Sequence, residues 1–272
     1  MRLTSHARRF PLLIATTGAL LSVSGGIAAA DTVGPINFER PTYTVGDING
    51  QHDWLKTGAF DVNVASVAGF TNAKRFGFGS KALQVSDKVT SDSFGDQTFS
   101  PGLRQPASAS VPHFDASFMI GTTKATMQPG LHMSVSPDSG DGSRMSYLRF
   151  EDQANGVHVF FDDVTNAGVL ESTFNETDIA TLDRAHAHLI RFSIHLKAGS
   201  ATDKVKIFID GRLKIAGTTW KDYYRFDVEQ RDNGNKVPSV GKLLFRESGA
   251  PSPANHDQGF LIDHMFLASG RW

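Results

Sequence analysis

Hydrophobic and polar residues alternate with a period of two along most of this chain, the pattern of strands with one buried face, while the 3.6-residue period of a helix is nearly absent. Leu148, Phe150 and Asp152 follow Ser146 on one side of such a run, with Met145, Tyr147, Arg149 and Glu151 on the other. Val157, Val159 and Phe161 alternate with His158, Phe160 and Asp162. Ala154-Asn155-Gly156 joins these two runs and reads as a hairpin, because Asn-Gly tolerates left-handed backbone. Ile190, Phe192, Ile194 and Leu196 alternate with Arg191, Ser193 and His195, and Val205, Ile207 and Ile209 with Lys206, Phe208 and Asp210. Asp210-Gly211 then turns the chain back into Leu213–Ile215. Further strands are expected at Pro35–Glu39, Phe60–Val64, Ala82–Val85, Ala116–Ile120, Leu131–Val135, Leu243–Arg246 and Phe260–Leu267. Short helices are expected only at Asn175–Leu182 and Trp220–Tyr224. About a dozen strands separated by Gly, Asn, Asp and Ser turns predict an all-β, two-sheet antiparallel sandwich or jelly roll. Val89–Pro112 is the longest stretch without clear periodicity.

The first 30 residues break this pattern. Arg2, Arg8 and Arg9 precede an apolar run from Leu12 to Ile27, and Ala28-Ala29-Ala30 follows, without one acidic residue. That order predicts a secretory signal peptide over residues 1–30, cleaved after Ala30, and hence a secreted or periplasmic protein. The greasy run is too short and too diluted to span a bilayer, which takes roughly 20 apolar residues. Residues 31–272 then form a single β-sandwich domain. The full chain has 27 basic and 28 acidic residues; without the three leader arginines 24 basic residues remain, a net charge of −4. No basic stripe points to nucleic acid. With no cysteine, disulfides, thiolate metal sites and a cysteine nucleophile are excluded.

Three segments carry a family resemblance. They are Ile36-Asn37-Phe38-Glu39 with Gly50-Gln51-His52-Asp53-Trp54 and Phe60-Asp61-Val62, then Asp203–Leu213, then Gly259–Leu267. Together they resemble secreted modules of the concanavalin A-like lectin and glucanase superfamily, including laminin G-like domains and jelly-roll carbohydrate-binding modules. The resemblance implies a sandwich and a glycan or surface partner. This fold serves lectins, hydrolases, lyases and interaction modules alike, so it decides no reaction. It also implies that Glu39 and Asp263, in the first and last strands, are neighbours, and two such carboxylates suit a structural Ca²⁺.

The polar face of the central strands is the place to look for chemistry. Tyr147, Arg149, Glu151, His158, Asp162, Arg191 and His195 mix rings, charges and imidazoles, as a sugar groove does. A solvated face with incidental ion pairs, such as Arg149 with Asp162, is the plainer alternative. Trp220 and Tyr223 form an aromatic cluster suited to a sugar platform or to stapling a loop, and Trp54 reads as core. For an enzyme, Glu151 and Asp162 are the carboxyl pair of a glycosidase, and Tyr147, Arg149 and His158 the set of a polysaccharide lyase. Neither the Glu-x-Asp-x-x-Glu strand of laminarinase-like hydrolases nor the Gln-Ile-His signature of alginate lyases is present, and there is no Gly-x-Ser-x-Gly elbow. His186 and His188 have a metal-binding spacing without an evident third ligand. The expected function is a secreted carbohydrate-binding or surface-interaction sandwich, with a polysaccharide-degrading enzyme and a structural envelope protein as the alternatives.

Overall fold

Strand pairing sorts the alternating runs into two antiparallel sheets. A computed structural model describes residues 29–59, 61–90, 97–165, 172–199, 202–233, 239–247 and 250–272; residues 1–28 of the expected leader lie outside it. The strands are β1 (Ala29–Ile36), β2 (Gly46–Asp47), β3 (Leu55–Lys56), β4 (Val62–Ser66), β5 (Lys81–Val85), β6 (Thr98–Phe99), β7 (His113–Thr122) and β8 (His132–Asp138). They continue as β9 (Leu148–Gln153), β10 (Gly156–Thr165), β11 (Thr173–Leu182), β12 (His188–His195), β13 (Lys204–Ile209), β14 (Arg212–Gly217), β15 (Lys242–Arg246) and β16 (Phe260–Gly270). One sheet runs β14-β13-β12-β7-β16-β5-β4-β2, with β1 also paired to β16; the other runs β11-β10-β9-β8-β15-β6-β3. Among the described residues no helix is long and apolar enough to cross a membrane.

The predicted inward residues meet between the sheets. Leu148, Phe150, Val157, Val159 and Phe161 from one sheet, and Ile190, Phe192 and Ile194 from the other, are all buried. Phe118 of β7 meets Phe150 at 6.3 Å and Phe245 at 6.4 Å, both edge to face, and Phe150 meets Phe260 of β16 at 6.4 Å. Edge-to-face rings add about 0.5–1.5 kcal/mol per pair to their burial. Trp54 is core as expected, against Phe38 and Phe245.

Two turns carry the hairpins. Asp210 and Gly211 are both left-handed (φ 51° and 75°), the geometry a two-residue hairpin needs. The β9–β10 hairpin also forms, with Gln153 opposite Gly156.

Three expectations need correction. Asn175–Leu182 is no helix: it lies in β11, an edge strand paired with β10 from Thr165–Thr173 to Val157–Leu182. Its polar, largely exposed side chains hide the period of two, and pairing with a neighbour overrides local propensity. Met145 does not share the face of Tyr147. It is fully buried, because the regular strand begins only at Leu148. Arg191 and His195 sit on β12, in the other sheet from Tyr147. The helix expected at Trp220–Tyr224 does form, as α1 (Lys221–Phe226).

One acid is buried with little compensation. Glu247 follows β15 and is 1% exposed, and the Asp87 backbone N–H approaches it without closing a well-formed hydrogen bond to either carboxyl oxygen. Burial pushes its pKa well above 4.5, with Asp87 and Asp61 adding to the rise against the Asp87 backbone N–H and Lys56. The folded protein therefore keeps Glu247 protonated at pH values where the unfolded chain has lost that proton. Its stabilising contribution is full below about 4.5 and is lost as the pH rises toward the folded value. Glu247→Gln should melt with the wild type near pH 4.5 and at increasingly higher temperature than it toward pH 8. A difference in melting temperature that stays constant across that range would refute a protonated Glu247.

Candidate functional site

The outer face of the seven-stranded sheet carries a cleft of about 700 Å³. Four residues singled out in the sequence line it: Tyr147, Asp162, Trp220 and Tyr223. Strand parity brings the first two together. Val159 and Phe161 point into the core, so Asp162 points outward, and its backbone N–H donates to the Tyr147 carbonyl at 3.3 Å. The segment before α1 is hung on the same two strands. Trp220 donates its backbone N–H to Met145 O (3.1 Å) and its indole Nε1 to Asp162 O (3.0 Å).

Rings make one wall. Trp220 stacks on Tyr147 at 5.8 Å and 17°, and Phe174 of β11 meets Trp220 and Tyr223 edge on at 4.9 and 5.1 Å. Trp220 and Tyr223 are only 7% and 8% exposed, so they act first as staples for α1 and offer the cleft little more than their edges. Phe174, at 41%, is the exposed ring. The polar wall comes from Arg144, Arg246, Glu229 and Gln230, with Gln97 and Asp141. Tyr223 donates its hydroxyl to Glu229 (2.9 Å) and receives a bond from Gln230 (2.9 Å). The Tyr224 hydroxyl accepts the Arg144 backbone N–H at 2.9 Å.

The cleft shifts its titrating groups. Burial pushes Asp162 up to about 6, and the carboxylates of Glu176 and Asp163 add to it, against Arg149. Its Oδ1 is buried without a hydrogen bond. Burial also raises Tyr147, opposed by Arg144 and by the Ser134 hydroxyl, and carries Tyr223 up to about 12.

Arg149, Glu151 and His158 share this face but do not line the cleft. Arg149 grips Glu176 of β11 with two bonds (3.0 and 2.6 Å), also bonds Glu151, and lies 4.1 Å over the Phe160 ring. His158 sits between Asp178 (2.6 Å) and Asn155 (2.8 Å). These charges are matched by their own sheet, and the partner of Arg149 is Glu176 rather than Asp162. Glu151 and Asp162, the glycosidase pair, do face the same way, but the Glu151 carboxylate is engaged by Arg149 and lies outside the cleft.

Arg191 and His195 belong to the opposite outer face, so they join no groove with Tyr147. Arg191 pairs with Asp115 at 2.6 Å and lies over Phe208, and His195 stacks on His113 at 4.3 Å. His186 and His188 are both held by Asp183, and His188 also by Asp210 at 2.8 Å.

Glu39 and Asp263 do meet, on either side of Gly79. A side chain at Gly79 would collide with Glu39 Oε1, and the Gly79 N–H donates to Asp263 Oδ2 at 3.3 Å. Both carboxylates have protein donors. Glu39 takes the Ser80 hydroxyl and the Lys81 backbone N–H (2.9 Å), and Asp263 takes the His264 N–H (2.8 Å). Burial pushes Asp263 up to about 6, while donors from Ser80 and Lys81 outweigh the burial of Glu39 and lower it. The pair has the donor type for a hard cation, and among the described residues no three His, Asp or Glu side chains group around one point that would hold a metal.

No family model and no curated protein sequence matches the chain. Among solved structures it is similar to a sialidase, at 11% identity and a TM-score of 0.42, over 79% of this chain and 17% of that one. It is also similar to the β-glucanase of Bacillus licheniformis (13%, 0.41, 83% and 95%) and to an alginate lyase from Alteromonas sp.272 (8%, 0.41, 78% and 95%). The two-sheet antiparallel sandwich itself rests on the strand pairing described above.

Proposed function

We propose that this is an extracytoplasmic glycan-binding sandwich whose ligand lies in the cleft of Tyr147, Asp162, Phe174 and Trp220. The observation that carries the reading is the composition of that cleft. Phe174 offers an exposed ring to the apolar side of a sugar, and Arg144, Arg246, Glu229 and Gln230 line the same cleft with planar hydrogen-bonding groups suited to its hydroxyls. Arg149, Glu151 and His158 flank the cleft as a charge-matched rim.

Soluble polysaccharide in the gel should retard the protein in affinity electrophoresis without releasing product. Tyr147→Phe and Asp162→Asn should each weaken binding by roughly tenfold, the equivalent of about 1.4 kcal/mol. Unchanged retardation in both variants would remove the cleft from the reading.

A polysaccharide lyase is the second reading, favoured by Asp162. A carboxyl group held at about 6 beside a tyrosine suits proton transfer near neutral pH. In that case acidic polysaccharide should yield the ultraviolet absorbance of unsaturated uronates. The activity should follow an ionisation near 6 that Asp162→Asn removes, and Tyr147→Phe should abolish product. Binding without absorbance leaves the non-catalytic reading.

Structural Ca²⁺ is proposed at Glu39 and Asp263. A chelator should then lower the melting temperature, and Asp263→Asn should erase that effect. An unchanged melting curve would assign the join to Ser80, Lys81 and the backbone donors instead.

A further inference from the structure

A second cleft, of about 680 Å³, opens along β1 and the turns that follow it. Its lining shares no residue with the Tyr147 cleft. Backbone strain collects there. Phe38, His52 and Asp53 line it with φ of 55°, 42° and 64°, three of the seven described non-glycine residues in the left-handed region. Such a conformation costs a bulky residue like Phe38 about 1–3 kcal/mol and persists only where packing over-determines it. Here the packing is visible: Phe38 is fully buried, 5.1 Å from Tyr43 and 5.9 Å from Trp54, and Tyr43 in turn meets the His52 ring at 5.3 Å.

The charges around this cleft are unequal in what they leave open. Asp31 accepts the backbone N–H groups of Arg104 and Gln105, and Glu39 accepts the Ser80 hydroxyl and the Lys81 backbone N–H, so both acids have donors from the protein. Arg40 and Arg104, 64 positions apart in the chain, both line the cleft from exposed positions. Among the described residues neither guanidinium has an ion pair or side-chain hydrogen bond. Two acids of the lining, Asp31 and Asp53, make no salt bridge among the described residues, and Asp31 is held by backbone N–H groups alone. The rest of the lining mixes Thr32, Asn37, Thr42 and the exposed His52 with Val33, Pro35 and Pro101, while the rings of Phe38 and Tyr43 are buried.

We propose that this cleft is a second binding site, for the carboxylate or sulfate groups of an acidic polysaccharide, with Arg40 and Arg104 as the recognising pair. A guanidinium holds either anion through two parallel hydrogen bonds, and a stiff, strained rim keeps the two arginines presented without a partner of their own. The glycan class of the partner rests on the function proposed above; the anion site does not use the Tyr147 cleft.

The test is affinity electrophoresis and calorimetry with three polymers: alginate for carboxylates, dextran sulfate for sulfates and a neutral β-glucan. Arg40→Ala/Arg104→Ala should weaken binding to at least one acidic polymer by tenfold or more, with the melting temperature and neutral-polymer binding unchanged. Comparing alginate with dextran sulfate tells which anion is held. Arg40→Lys/Arg104→Lys should recover less than half of the lost affinity, because an ammonium cannot make the paired bonds. Full recovery with lysine would reduce the site to surface charge and overturn the proposal. Acidic-polymer binding that survives the double alanine variant, or that is absent from the wild type, also overturns it. Failure of the Tyr147 cleft reads out separately, as loss of the effect of Tyr147→Phe and Asp162→Asn on the neutral polymer.

Discussion

Everything else in this molecule depends on face-to-face packing of two sheets by aromatic rings. Phe118 and Phe260 from one sheet interlock with Phe150 and Phe245 from the other, and Trp54 extends the contact through Phe245. The chain has no cysteine, so no covalent tie shares that task. The parity of every strand follows from this core. Once Phe150 points inward, Arg149 and Glu151 must point out; once Phe161 points inward, Asp162 must face the cleft. The functional surface is thus a by-product of core registration, and a one-residue slip of β10 would remove Asp162 from it.

That dependence explains what was legible in the sequence. The alternation in β9, β10, β12 and β13 predicted which residues are buried, because a period of two is a local property. Sheet membership is not local. Arg191 and His195 have the same parity as Asp162, yet β12 pairs with β7 and β13, on the far side of the core. Parity assigns a residue to an outer face but not to one of the two faces. The edge strand β11 escaped for a related reason. With one side unpaired and most of its side chains in solvent, it needs no alternation, and its identity comes from β10.

The site was legible to the same degree. Asp162 lies on β10 and Tyr147 immediately before β9, and both were found by parity; Trp220 and Tyr223 were found by their density of rings. Arg144, Arg246, Phe174 and Gln97 arrive from turns and strands far apart in sequence, and no local signal brings them to Tyr147. Parity also could not tell an available charge from a matched one. Arg149 and His158 look like ligands in the sequence, and only the pairing with β11 reveals Glu176 and Asp178 opposite them.

Five acids with raised pKa values among the described residues add a final constraint. Asp138, Asp162 and Asp263 are pushed to about 6, and Asp87 and Glu247 above their ordinary values, each chiefly by burial. Asp138 and Glu247 flank the strands that carry the Tyr147 cleft, Asp162 lines the cleft itself, and Asp263 sits beside β1 where the second cleft begins. Each of these groups favours the folded state most when protonated, so the contribution of Asp138, Asp162 and Asp263 is full below about 3.8 and is lost as the pH rises through about 6. A sandwich built for stability alone would replace such groups with apolar ones of the same size. Of these acids Asp162 alone lines either of the two clefts, so its burial cost falls on a group the cleft presents, while the others carry theirs inside the fold.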